Sequence, residues 1–150
     1  MSGLRGSYAV DAGALLELVY GTESGAALKE ALLSEKVYAM THSLALTELW
    51  YILCRRLGWE EAEERVKALQ HSGYVEVVDI EALMREAAHY KCERSLSLPD
   101  CFTLSLGKER SIPALFSRRE RELEEEMNKE DFSIDIHFLV EMNKNRKTED

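Results

Sequence analysis

The chain has 150 residues, enough for one domain with a substantial core and too few for two of ordinary size. Hydrophobic residues make up 45% and charged residues 31%, with two prolines, which excludes a disordered or collagen-like chain. Nineteen Lys and Arg against 28 Asp and Glu leave a formal net charge of −9, which excludes broad, passive binding to a polyanion.

Tyr8-Ala9-Val10-Asp11 is a short apolar run ending in an acid, and Ala14 to Tyr20 continues as a helix that Gly21 stops. Ser24 to Ser34 carries Ala27, Leu28, Ala31 and Leu32 at helical spacing, and Val37 to Met40 reads as a second strand. Thr41 or Ser43 is suited to cap the next helix, whose Leu46, Leu49, Leu53 and Leu57 form an apolar stripe closed by Gly58. Glu60 to His71 is amphipathic, with Ala62, Val66 and Leu69 inward, and Tyr74 to Val78 is strand-like. A helix is expected from about Asp79 to Arg94, another from Ser97 to about Lys108, and a fourth strand over Ser111 to Phe116. Arg118 to Asn128 is a highly charged helix, and Phe132 to Leu139 alternates apolar and polar residues like a strand with one wet face.

Strands alternating with helices predict a three-layer α/β/α fold, with a small, mainly parallel sheet of four to five strands flanked by helices. No internal repeat or low-complexity linker divides the chain, so residues 1–142 are expected as one domain and residues 143–150 as a polar, frayed tail. The opening residues lack the apolar run of a signal peptide, and no stretch reaches the roughly 18 apolar residues of a membrane span. A cytoplasmic protein with no membrane partner is the expectation. Cys54, Cys92 and Cys101 are odd in number and without Cys-x-x-Cys spacing, so they are expected as reduced thiols rather than disulfides or zinc ligands.

Open α/β sheets bind ligands outside the carboxyl ends of their strands. Asp11 falls there after the first strand, Glu48 about one turn into the helix after the second, Asp100 in the first turn of its helix, and Glu120 and Glu122 after the fourth strand. Such a cluster repels itself without a cation, and hard oxygen donors suit Mg²⁺ or Mn²⁺. Each acid also has a structural role open to it. Asp11 is placed to N-cap a helix, Ser97-Leu98-Pro99-Asp100 has capping-box spacing, and Glu120 and Glu122 sit in a charged run suited to a solvated face. Glu48 is flanked on its helix by Leu44, Ala45, Tyr51 and Ile52, so its carboxylate needs a partner, either Arg55 or a metal.

Thr103 and Ser117 are placed to touch a substrate or support the acids, and Arg55, Arg56, Arg94 and Arg118 are placed to hold a phosphate backbone; a hydroxyl satisfied within its helix or a plain surface charge accounts for each equally well. His42, His71, His89 and His137 are scattered and read as surface or boundary residues, and Trp50 and Trp59 as core or interface packing. The glycines form neither phosphate-binding fingerprint, which disfavours a nucleotide-driven enzyme.

The ordered set Tyr8-Ala9-Val10-Asp11, Ser43-Leu44-Ala45-Leu46-Thr47-Glu48-Leu49 and Leu96-Ser97-Leu98-Pro99-Asp100-Cys101-Phe102 resembles the PIN-domain family, most closely its VapC toxin branch, over about residues 7 to 140. The resemblance implies a Mg²⁺- or Mn²⁺-dependent ribonuclease of a toxin–antitoxin pair. Asp11 and Asp100 match its principal metal-ligand aspartates, and Glu48 matches the helix glutamate that completes the site. At the fourth acid the family's Thr-x-Asp-x-Asp-Phe type segment is replaced by Ser117-Arg118-Arg119-Glu120-Arg121-Glu122-Leu123, so Glu120, or alternatively Glu122, takes that place. Within the catalytic set Asp11, Glu48, Asp100 and Glu120, either Glu48 or Glu120 orients the attacking water. The resemblance further implies an RNA substrate, a homodimer and a VapB-like antitoxin that blocks the acidic site. The alternatives are a PIN-like binding or assembly module without chemistry, and a receiver domain, whose acidic pair and lysine are not evident.

Overall fold

A computed structural model describes residues 3–149, with side chains as far as Lys144. In chain order the elements are β1 (Gly6–Val10), α1 (Ala12–Tyr20), α2 (Glu23–Leu33), β2 (Val37–His42), α3 (Ser43–Leu57), α4 (Trp59–His71) and β3 (Val75–Val78). A 3-10 turn (Ile80–Leu83), α5 (Met84–Glu93), α6 (Leu98–Arg110), β4 (Ala114–Phe116), α7 (Arg121–Lys129), β5 (Ile136–Phe138) and α8 (Leu139–Glu149) complete it. The strands form one sheet in the order β3-β2-β1-β4-β5, and every neighbouring pair is parallel. The register sets Ala9 opposite Met40 on one side and Ala114 on the other.

Strand alternation sends successive side chains to opposite faces, so both faces of this sheet are buried. Tyr8, Val10, Ala39 and Leu115 pack with Leu15, Leu28, Leu49 and Leu53 on the face covered by α1 to α4. Ala9, Met40, Ala114 and Phe116 pack with Leu83, Phe102, Leu104 and Leu123 on the face covered by α5, α6 and α7. The expected three-layer fold is therefore present, with all five strands parallel. Gly25 brings α2 against α1, because a β-carbon there would stand only 1.8 Å from the Glu17 carbonyl oxygen.

Several local expectations are corrected. The fourth strand begins at Ala114, because Ser111 sits at φ 55° as the C-cap of α6 and Ile112 donates to the Gly107 carbonyl at 2.9 Å. The alternating run at Phe132–Leu139 pairs only over Ile136–Phe138, since β4 offers three residues as its partner. The helix expected from Asp79 opens as a 3-10 turn capped by Asp79. Beyond these, the described C-terminal residues are helical to Glu149, and Asp150 lies outside the described residues.

Chain order places a switch point between β1 and β4. The chain winds from β1 to β2 and β3 on one side, then returns to lay down β4 and β5 on the other. Crevices outside the carboxyl ends of strands form at such points.

Candidate active site

Asp11 follows β1 at that crevice. Its backbone N–H donates to the Leu115 carbonyl at 3.1 Å, and Thr41 donates its hydroxyl to the preceding Val10 carbonyl at 2.7 Å. The end of β1 is thus tied to both neighbouring strands. Asp11 also N-caps α1, accepting the Ala14 N–H at 2.8 Å through Oδ1. The capping role and a place in the acidic cluster coexist in one carboxylate. Gly13 keeps the rim open: a β-carbon there would lie 3.1 Å from the Ser117 β-carbon and 3.4 Å from Asp11 Oδ2.

Burial pushes the Asp11 carboxyl up to about 8, opposed by the Ala14 N–H and reinforced by the charges of Asp100 and Glu48. Glu48, in the second turn of α3, is raised by burial and by Asp100. Asp100, in the first turn of α6, is raised by burial, held down in part by the Ser97 hydroxyl, and raised again by Glu120 and Glu122. Acids from α1, α3, α6 and the start of α7 therefore feel one another at one edge of the sheet. Glu120 and Glu122 are both exposed, Glu120 as the residue before α7 and Glu122 in its first turn.

Among the described residues, no basic side chain is paired with Asp11, Glu48 or Asp100. Among the described residues, no hydrogen bond or ion pair reaches the Glu48 carboxylate. Arg55, one of its two expected partners, instead lays its guanidinium over the Tyr51 ring at 5.0 Å. The donor chemistry fits a hard divalent cation: three oxygen acids carry a common electrostatic deficit. Among the described residues, no three His, Cys, Asp or Glu side chains converge closely enough to hold an ion between them. Mg²⁺ is commonly held by one or two carboxylates with water filling the rest.

The structure decides between the two roles open to each of the supporting residues. Thr103 is wholly buried and faces His42 Nε2 at 2.9 Å, so its hydroxyl is committed inside the protein and does not face a substrate. Ser117 stands at the rim but donates to Glu17 Oε2 at 2.8 Å. Arg94 donates to the Glu126, Glu130 and Asp131 carbonyls at 2.8–3.1 Å and covers Phe132, which makes it the clamp on the end of α7 rather than a backbone ligand. Arg56 lies over Tyr20, and Arg118 is exposed, 3.9 Å from Glu17.

Two polar residues stand out only in three dimensions. Glu17, 12% exposed, accepts from Ser117 and from the Thr22 hydroxyl, tying α1 to the segment that leads to Glu120. Its signal was a lone acid in the apolar run Ala14-Leu15-Leu16-Glu17-Leu18-Val19-Tyr20. His42, expected at the surface or a boundary, is completely buried and caps α3 in place of Thr41 or Ser43. Its side-chain nitrogen accepts the Ala45 N–H at 3.0 Å, and burial lowers its pKa to about 4. Adjacent conventional capping residues masked it in the sequence.

The three cysteines are free thiols, and burial raises the Cys101 thiol to about 11, far from a nucleophilic thiolate at neutral pH. No helix among the described residues is long and apolar enough to cross a membrane.

Fold and site together define a doubly wound α/β domain with an acidic crevice at its switch point. The PIN-domain model matches residues 8–129, and the chain belongs to the PIN-domain family. VapC20 of Mycobacterium tuberculosis, a sarcin-ricin loop cleaving toxin, is similar in structure with a TM-score of 0.56 and 25% identity, over 73% of this chain and 86% of that one. PAE2754 from Pyrobaculum aerophilum shares the fold at a TM-score of 0.56 and 19% identity, over 97% of this chain and 98% of that one. No curated protein sequence matches the chain.

Proposed function

We propose that the protein is a Mg²⁺- or Mn²⁺-dependent endoribonuclease, the toxin of a VapBC-type pair acting on RNA in the cytoplasm. The observation that carries this is the gathering of Asp11, Glu48 and Asp100 at the switch point, each raised by burial and by neighbouring acids, with no basic side chain paired with them among the described residues. Membership of the PIN-domain family and likeness to an RNA-cleaving toxin support the same conclusion.

Asp11, Glu48 and Asp100 would hold the cation, one or two of them directly and the rest through water, with Glu120 or Glu122 as the fourth acid. A bound cation supplies charge neutralisation at a phosphate and a more acidic water. The backbone ties of Asp11 keep its carboxylate fixed at the crevice floor. Glu48, half-buried in the crevice, and Glu120, exposed at the rim, are the two candidates to orient or deprotonate the attacking water. Exposed Arg55, Arg56 and Arg118 are available to an RNA backbone.

A VapB-like antitoxin and a second copy of the chain are the proposed partners. Exposed Leu33, Tyr51, Leu57 and Trp59 on α2, α3 and α4 are suited to such contacts.

The test is cleavage of structured RNA by the purified protein with Mn²⁺, with excess chelator, and with Asp11→Asn. Cleavage that needs both the cation and Asp11 is expected. Equal cleavage by wild type and Asp11→Asn overturns the site. Mn²⁺ binding without cleavage under any condition assigns the chain to the non-catalytic binding modules instead.

A further inference from the structure

His42 and Thr103 form a buried polar contact that none of the chemistry above uses. The Nδ1 of His42 accepts the Ala45 N–H at 3.0 Å, so the proton of the neutral ring lies on Nε2. That nitrogen therefore donates to Thr103 Oγ1 at 2.9 Å, and the threonine hydroxyl donates onward to the Pro99 carbonyl at 3.3 Å. Both side chains are sealed from solvent, and the Phe102 ring lies 5.9 Å from the imidazole.

The chain of bonds joins the two helices that carry acids. His42 caps α3, whose second turn holds Glu48, and Thr103 follows Asp100 by three residues on α6. Thr103 and Asp100 thus stand one turn apart on one helix face. Packing of leucines between two helices tolerates small slides, whereas a fully satisfied buried hydrogen-bond chain has one register. Glu48 and Asp100 are acids without a hydrogen bond to one another, and the charge of Asp100 raises the Glu48 carboxyl, so the two repel when both are ionised. The His42–Thr103 bond is a polar tie between the start of α3 and α6.

We infer that His42 and Thr103 are a positioning pair that fixes the spacing of Glu48 and Asp100 and thereby the cation affinity of the crevice. Its effect on cation affinity rests on the metal-dependent function proposed above; its effect on helix spacing does not.

The test compares Thr103→Val, which keeps the shape and removes the hydroxyl, with Thr103→Ser, which keeps the hydroxyl. Two measurements are made on each full-length protein: Mn²⁺ affinity by calorimetry, and amide hydrogen exchange of the metal-free form over residues 43–50. Thr103→Val is expected to weaken Mn²⁺ binding about tenfold, the lower end for groups that orient metal ligands. It is also expected to speed exchange in the first two turns of α3 several-fold, while Thr103→Ser stays within about twofold of wild type in both. Unchanged α3 exchange in Thr103→Val overturns the pair. So does Mn²⁺ affinity within twofold of wild type beside a lowered melting temperature, since a merely structural contact gives that result. Wild type that binds no Mn²⁺ overturns the metal-dependent function instead, and the exchange measurement still decides the pair.

Discussion

Two polar clusters in this protein obey opposite rules. At the end of α7, the Arg94 guanidinium meets three backbone carbonyls and an aromatic face, so its donors have acceptors and its charge has company. At the switch point, Asp11, Glu48 and Asp100 are gathered with no basic partner among the described residues and with raised pKa values. A satisfied cluster holds the fold together. An unsatisfied one costs the fold stability and persists where a ligand completes it.

Substitution separates the two most sharply. Glu48→Gln is expected to lower RNA cleavage by about 10²–10⁴-fold, the range for a positioned acid or base, with little change in melting temperature. Arg94→Ala is expected to do the reverse. Losing charged hydrogen bonds to three carbonyls costs about 2 kcal/mol, or about 4–8 °C in a domain of this size, and cleavage per folded molecule should persist. A cleavage loss in Arg94→Ala equal to that in Glu48→Gln would erase the distinction.

A smaller effect has the unusual sign. Asp11→Asn keeps a good helix cap and removes a charge that the fold raises, so the metal-free variant should melt a few degrees above wild type at pH 8, about 2–4 °C for each kcal/mol gained. Saturating Mn²⁺ should raise the wild type and leave the variant where it is.

The pH dependence follows from two groups that act against each other. The Asp11 carboxyl, about 8 in the fold against 3.8 ordinarily, removes stability as pH rises through that interval. His42, about 4 in the fold against 6.5 ordinarily, restores stability as pH rises from about 4 to 6.5. Between those values the two largely cancel. The metal-free protein should therefore lose stability most steeply between about pH 6.5 and 8, and Asp11→Asn should flatten that decline in a series of thermal melts. The mildest effect is expected at Glu17→Ala, which leaves Ser117 and Thr22 without their acceptor and costs about 1 kcal/mol in chemical denaturation.

Sequence periodicity was enough for the layers. Short β-branched and apolar runs alternating with 3.6-period stripes have one compact solution, and the order of Asp11, Glu48 and Asp100 along it followed from where strands end. The charge of −9 also kept its meaning: part of it is the crevice itself, and Glu120, Glu122, Glu124 and Glu125 lie on or beside α7. What only the tertiary structure decided are the partners of polar side chains. Thr103 pairs with a histidine 61 residues away, Ser117 with a glutamate 100 residues away, and Arg94 with carbonyls more than 30 residues on. Hydrophobic pattern is a local property, legible within one turn or one strand. A hydrogen bond between helices depends on how those elements dock, and that is settled by the packing of the whole core.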